Sequence, residues 1–122
     1  MRVDIAWWNL DGTSQTIDSL REHLRDGAAE AWATVPGLRL KYWMADREHN
    51  RWGAVMLWES AERPEAHLLP PNRAAELIGC APHQRERFEI EAAIEGRHSL
   101  AALHRLGPAL MPNRPPALSL EQ

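Results

Sequence analysis

The sequence predicts an α+β domain whose elements run in the order βαββαβ. Three observations carry that expectation: four stretches with the period-two alternation of strands, a run of helical spacing between the first two, and a third strand that is apolar on both faces. A strand without a polar face belongs in the interior of its sheet, with a layer over each side.

From Arg2 to Asn9, Val3, Ile5 and Trp7 share one face and Asp4, Ala6 and Trp8 the other, which reads as the first strand. The turn-forming run Asn9-Leu10-Asp11-Gly12-Thr13-Ser14 ends it. Ile17, Leu20, Leu24, Ala28, Ala31 and Trp32 then recur at steps of three and four, the stripe of an amphipathic helix. Thr16 or Asp18 is placed to cap it, Ser19 and Glu22 have capping-box spacing, and Val35-Pro36-Gly37 stops it. On this helix His23 and Asp26 read as a solvated face.

Leu38, Leu40, Tyr42 and Met44 alternate with Arg39, Lys41 and Trp43 in a second strand. The polar residues 46–51 form a hairpin connection, and Trp52 to Glu59 is the third strand, with Ala54, Met56 and Trp58 on one face and Val55 and Leu57 on the other. Ser60 is placed to cap a second helix through Ala66, Leu68 and Leu69. Pro70-Pro71 interrupts it, and it resumes from Asn72 to Ile78 before Gly79. His83 to Ile94 sets Phe88, Ile90, Ala92 and Ile94 against Arg87, Glu89 and Glu91, a fourth strand.

A chain of 122 residues fits one domain, placed at 1–96, with 97–122 as an extension. The extension combines a short helix through Leu100, Leu103 and Leu106 with a tail holding Pro108, Pro112, Pro115 and Pro116, expected as an extended arm. With 14 Lys plus Arg against 17 Asp plus Glu, the net charge of −3 gives no attraction to a phosphate backbone or an anionic membrane, so neither nucleic acid nor a membrane is expected as a partner. The single cysteine, Cys80, allows no internal disulfide, and the opening residues lack the apolar stretch of a secretory leader. A cytoplasmic location is the expectation.

Both helices on one face of a four-stranded antiparallel sheet make βαββαβ a ferredoxin-like arrangement. The opposite face is then bare yet apolar, and a second copy of the chain is the expected cover, giving a homodimer with its sheets face to face. Val55-Met56-Leu57-Trp58-Glu59-Ser60, Pro64-Glu65-Ala66-His67-Leu68 and Pro71-Asn72-Arg73, with Val35-Pro36-Gly37-Leu38 before the second strand, resemble segments of the antibiotic-biosynthesis monooxygenase superfamily. The resemblance implies a dimeric α+β barrel with a pocket in each subunit between sheet and helices. Enzymes of that superfamily include monooxygenases that oxidise aromatic, polyketide-like substrates with O2 and neither metal nor flavin, haem-degrading enzymes and small-molecule isomerases. It also implies functional positions at Trp58 and Asn9, while Asn72 stands where many members have a histidine.

Three residues are candidates for catalysis. The indole N–H of Trp58 can face a developing anion, or Trp58 can be a core residue under the second helix. Asn9 offers a donor and an acceptor, and suits a turn equally well. His67 is the acid–base candidate because imidazole as a side chain suits proton transfer, or else it is a surface histidine beside Arg63. Tyr42, Trp43 and Met56 are the candidates for substrate binding, although Tyr42 and Trp43 point to opposite faces and only one can enter a given pocket. No cofactor or metal is expected: the 6 histidines include no His-x-x-x-His pair, and no glycine-rich nucleotide motif occurs. The expected function is cofactor-independent oxidation of a small aromatic or polyketide-like molecule by O2. The alternatives are a non-catalytic small-molecule-binding or structural barrel, and a haem-binding or isomerase member of the same superfamily.

Overall fold

Strand pairing in the computed structural model puts the doubly apolar third strand inside the sheet. Strand β1 (Arg2–Asn9) pairs antiparallel with β3 (Arg51–Trp58), Arg2 opposite Trp58 and Asn9 opposite Arg51. On its other side β1 pairs antiparallel with β4 (Gln84–Glu89), and β2 (Leu38–Asp46) pairs antiparallel with β3. The order is β2-β3-β1-β4, a four-stranded ferredoxin-like sheet. The structure describes residues 1–60, 62 and 64–110. Ala61, Arg63 and the residues from 111 on, which hold most of the expected Pro-rich arm, lie outside the described residues.

Helices α1 (Ile17–His23) and α2 (Arg73–Ile78) cover one face. Directly opposed Trp8 and Trp52 meet Ile17 and Leu20 of α1, Leu24, and Ile78 of α2 in the core. Burying each Leu or Ile there contributes roughly 1.5–3 kcal/mol. The Trp8 indole N–H also donates to the Cys80 carbonyl at 3.0 Å, tying β1 to the chain just beyond α2. Thr16 caps α1 through a reciprocal capping box with Ser19, and Asn72 caps α2 by accepting from the Ala75 amide at 3.1 Å. Gly79 closes α2 in the left-handed conformation.

Three elements depart from the sequence reading. The first helix does not run to Trp32: after His23 it widens into a π-helical turn over Leu24–Ala28 and resumes as a 3-10 turn over Glu30–Trp32. Gly27 sits inside the break at φ 110°, a conformation open to glycine and strained for other residues. The helix expected from Ser60 is reduced to a 3-10 turn at Ala66–Leu68. Pro64 and Pro70 bracket too little chain for an α-helix, and the Ser60 hydroxyl donates to the Glu62 carbonyl instead of capping. Strand β4 ends at Glu89 rather than Ile94, because pairing stops where Arg2 opposes Glu89 and the Ile90 amide donates to the Met1 carbonyl. The faces of β2, which the sequence left open, are assigned by the register: Lys41 and Trp43 turn toward the helices, opposite Met56 and Ala54, and Tyr42 and Met44 lie on the other face.

Candidate functional site

Alternation along the four paired strands decides what faces the helices. One row across the sheet reads Lys41 on β2, Met56 on β3, Asp4 on β1 and Arg87 on β4. The next row toward the core holds Trp43, Ala54 and Ala6, and beyond Met56 comes Trp58 opposite Arg2. The α1 side of this surface is lined by Leu20, His23 and Leu24. The π-helical turn then carries Trp32 back over β2.

Lys41 is the chain's only lysine among 14 Lys plus Arg. Its Nζ lies 3.3 Å from the centroid of the Trp32 ring and 5.0 Å from that of Trp43. Two opposing effects act on it. The indole faces attract an ammonium ion, and burial penalises the charge, bringing the pKa down to about 7 from 10.5. Among the described residues no carboxylate makes an ion pair with Lys41. His23 lines the same recess, and its Nε2 is buried with no hydrogen-bond partner among the described residues.

Three cavities meet at this point, and Lys41 and Trp43 line all of them. The innermost, about 40 Å³, lies between α1, Trp52 and the start of α2 and has room for little more than water. A second of about 240 Å³ lies beside Trp32 and Leu38. The third, about 430 Å³, opens between α1, β2 and the chain from Leu103 to Leu110. That volume suits a small organic molecule. The extension therefore builds one wall: its 3-10 turn over Leu100–Leu103 is followed by Arg105, which pairs with Glu30, and by Ala109, whose carbonyl accepts from Arg25 Nε at 3.2 Å.

The candidates from the sequence separate on this frame. Trp43 stands beside Lys41 on the helix face and lines all three cavities, and Met56 shares that face without lining any of them, whereas Tyr42, on the opposite face and about half exposed at 49%, borders the 430 Å³ cavity. Trp58 is fully buried on the helix face at the far end of β3, and its indole Nε1 has no hydrogen-bond partner among the described residues. Asn9 is exposed and performs the turn role: its Oδ1 accepts from the Asp11 amide at 2.9 Å, and its own amide donates to His83 Nδ1 at 3.0 Å. Since Asn9 opposes Arg51 and Arg2 opposes Trp58, Asn9 and Trp58 lie at opposite ends of the sheet, about 23 Å apart at strand rise. His67 is exposed on its 3-10 turn, 3.3 Å from Glu65.

The polar groups that share the Trp58 end of the sheet are instead Arg2 and Asp4, a buried ion pair with 3.1 Å between Arg2 Nε and Asp4 Oδ1. Arg87 Nε approaches the same carboxylate oxygen at 4.0 Å. Sequence reading passed over Lys41, Trp32, Arg2 and Asp4, and it placed His23 with Asp26 on a solvated face, whereas α1 turns His23 partly inward so that its Nε2 is buried and only Asp26 stays exposed. The available signals were the solitary lysine, set one alternation step from Trp43, and a charged pair at the start of a strand whose neighbours are all apolar.

The fold defines a class, small ferredoxin-like α+β proteins, and this chain adds a tryptophan-lined cavity between α1, β2 and the extension. Within that class the chain is similar to a solved structure from Deinococcus radiodurans described as a "putative antibiotic biosynthesis monooxygenase", with a TM-score of 0.53 and 16% identity, over 80% of this chain and 100% of that one. The chain thus has the fold that its strand and turn motifs resemble. No family model matches the sequence, and no curated protein matches it. Among the described residues no helix is long and apolar enough to cross a membrane.

Proposed function

We propose that the protein is a homodimeric, cofactor-independent monooxygenase that oxidises a small aromatic molecule bearing an acidic OH or CH group. The observation that carries this reading is the half-buried Lys41, held among Trp32 and Trp43 where three cavities meet. A planar substrate stacks on the indoles, and Lys41 takes up its proton or faces the resulting anion. The electron-rich anion reduces O2 and is itself oxidised; a carbon–oxygen bond forms, and the O–O bond then breaks. For a benzylic CH2, one oxygen atom becomes the ketone and the other leaves with both hydrogens as water, so no further reductant is consumed. Protein groups supply orientation, exclusion of water and charge stabilisation. Trp43, Trp52 and Tyr42 wall the 430 Å³ cavity in this proposal, and Met56 and Trp58 support the sheet behind it. A neighbour of the same fold that bears a monooxygenase description adds support.

A homodimer belongs to the same proposal. Ile5, Leu40, Tyr42, Val55, Leu57 and Phe88 lie on the face of the sheet away from the helices, where Tyr42 is 49% and Phe88 50% exposed. The same face of a second copy is the self-complementary cover for it. The distance between Asn9 and Trp58 favours a second reading, in which the cavity binds a small aromatic molecule without turning it over.

Oxygen uptake with hydroxylated naphthalenes and anthrones, in buffer without added cofactor, tests the enzyme. The expected result is one O2 consumed per ketone formed, with loss of roughly 100-fold or more in kcat/KM for Lys41→Met. Saturable binding with no O2 uptake overturns the monooxygenase reading in favour of the binding one.

A further inference from the structure

We propose that Lys41 is an amine nucleophile that captures an aromatic aldehyde or ketone as an imine in the tryptophan-lined cavity. This assignment is independent of oxygen chemistry, because it needs neither O2 nor an acidic substrate. It rests on placement. The only lysine of the chain projects from β2 to the junction of three cavities, one of them about 430 Å³, instead of lying on the surface where lysines ordinarily stay. No described carboxylate pairs with it and so holds it as an ammonium ion. The other charged groups lining the cavities are mostly cationic: Arg21, Arg39, Arg73 and Arg105, with Glu30 held by Arg105. Burial lowers the pKa to about 7, so a large share of the amine is neutral near neutrality, the form that attacks a carbonyl.

The step balances without oxidant or reductant. The Nζ lone pair forms the N–C bond while the carbonyl π pair moves to oxygen, which takes a proton from nitrogen to give a carbinolamine. Protonation of that hydroxyl releases water as the nitrogen lone pair closes the C=N bond. His23, whose buried Nε2 lacks a protein partner among the described residues and lines the innermost cavity, is the group placed to deliver that proton. Trp43 and Trp52 offer flat apolar walls to the ring of the carbonyl compound, which selects aromatic over short aliphatic partners.

The test is reductive trapping. Full-length protein is incubated with 1-naphthaldehyde and cyanoborohydride near pH 7.5, and adducts are located by peptide mapping; the only amines are Lys41 and the amino terminus. An Arg97→Lys variant adds an exposed lysine as an internal standard. The expected result is labelling of Lys41 faster than of that standard by roughly 500-fold, as the difference in neutral amine at pH 7.5 dictates. Naphthaldehyde should outpace acetaldehyde at Lys41 but not at the standard. Lys41→Arg should lose the cavity adduct while keeping the amino-terminal one, and His23→Ala should slow Lys41 labelling by about tenfold. An unmodified Lys41 beside a labelled amino terminus, or labelling of Lys41 only after unfolding in urea, overturns the proposal; an unchanged rate in His23→Ala overturns the role given to His23.

Discussion

Lys41 couples protonation to folding in a direction that can be measured. Its pKa is about 7 in the folded chain against 10.5 for the free side chain. Between those values the unfolded chain holds a proton that the folded chain has released, so stability rises with pH across the window from about 7 to 10.5, and below it the burial of the charge is felt in full. The groups around it are Arg21 and His23 from α1, Glu30 beside Trp32, Arg39 of β2 itself, Arg73 from α2, His104 and Arg105 from the extension, and Asp4 across Met56 in the same row. Urea midpoints should therefore increase from about pH 7 to about pH 9.5 in the parent protein, and Lys41→Met should flatten the rise. A parallel rise in the variant would assign the slope to other groups. Asp46 is the opposite case: hydrogen bonds from Arg51 first and His49 second hold its carboxyl well below the usual range, at an exposed hairpin where solvent screens the effect. Lys41 was hard to read in the sequence because β2 is amphipathic in the misleading sense. Leu40, Tyr42 and Met44 look like its inward face, yet the side away from the helices is itself apolar, so alternation separates two faces without telling which one the helices cover.

At the scale of elements, β3 shows why a glycine stands in the middle of an interior strand. A Cβ built on Gly53 would lie 2.5 Å from the Ala6 carbonyl oxygen and 2.7 Å from the Trp7 Cβ, both on or next to the backbone of β1. Gly53→Ala must therefore push β1 and β3 apart at their centre, and is expected to cost about 1–3 kcal/mol in chemical denaturation with little change in m-value. Stabilisation by the substitution would mean that the two strands separate more easily than their pairing suggests. The first three strands and α2 were legible because alternation, Asn72 and Gly79 are local signals that packing did not override. The long first helix was not, because its stripe of apolar residues survives the π-helical turn: Leu24 and Ala29 still reach the core on either side of Gly27. Ser60 had the chemistry of a cap, but prolines downstream left no helix for it to cap.

At the scale of the molecule, the sheet presents two unlike faces, one roofed by helices and one apolar and open in the single chain. If the open face is covered by its own copy, a charge at its centre should break the assembly. Leu57→Arg is expected to turn a dimer into a monomer in sedimentation equilibrium at micromolar concentration, while far-ultraviolet circular dichroism stays unchanged. A parent protein that sediments as a monomer would remove the dimer from the proposal. The family resemblance carried the fold correctly, but it could not carry Asn9 and Trp58 into one site, because residue types at short motifs do not report which strand positions face each other.

The clustering of indoles has an optical consequence. Trp32, Trp43 and Trp52 all border the innermost cavity, within a chain that holds 6 tryptophans and only 1 tyrosine. Trp43 and Trp52 also border the 430 Å³ cavity, so part of the ultraviolet emission of this protein originates beside the place where a guest would lie. The Lys41 charge sits 3.3 Å above one emitter, so its gain or loss of a proton, like the arrival of an aromatic guest, is written into the colour and intensity of the light without any attached dye.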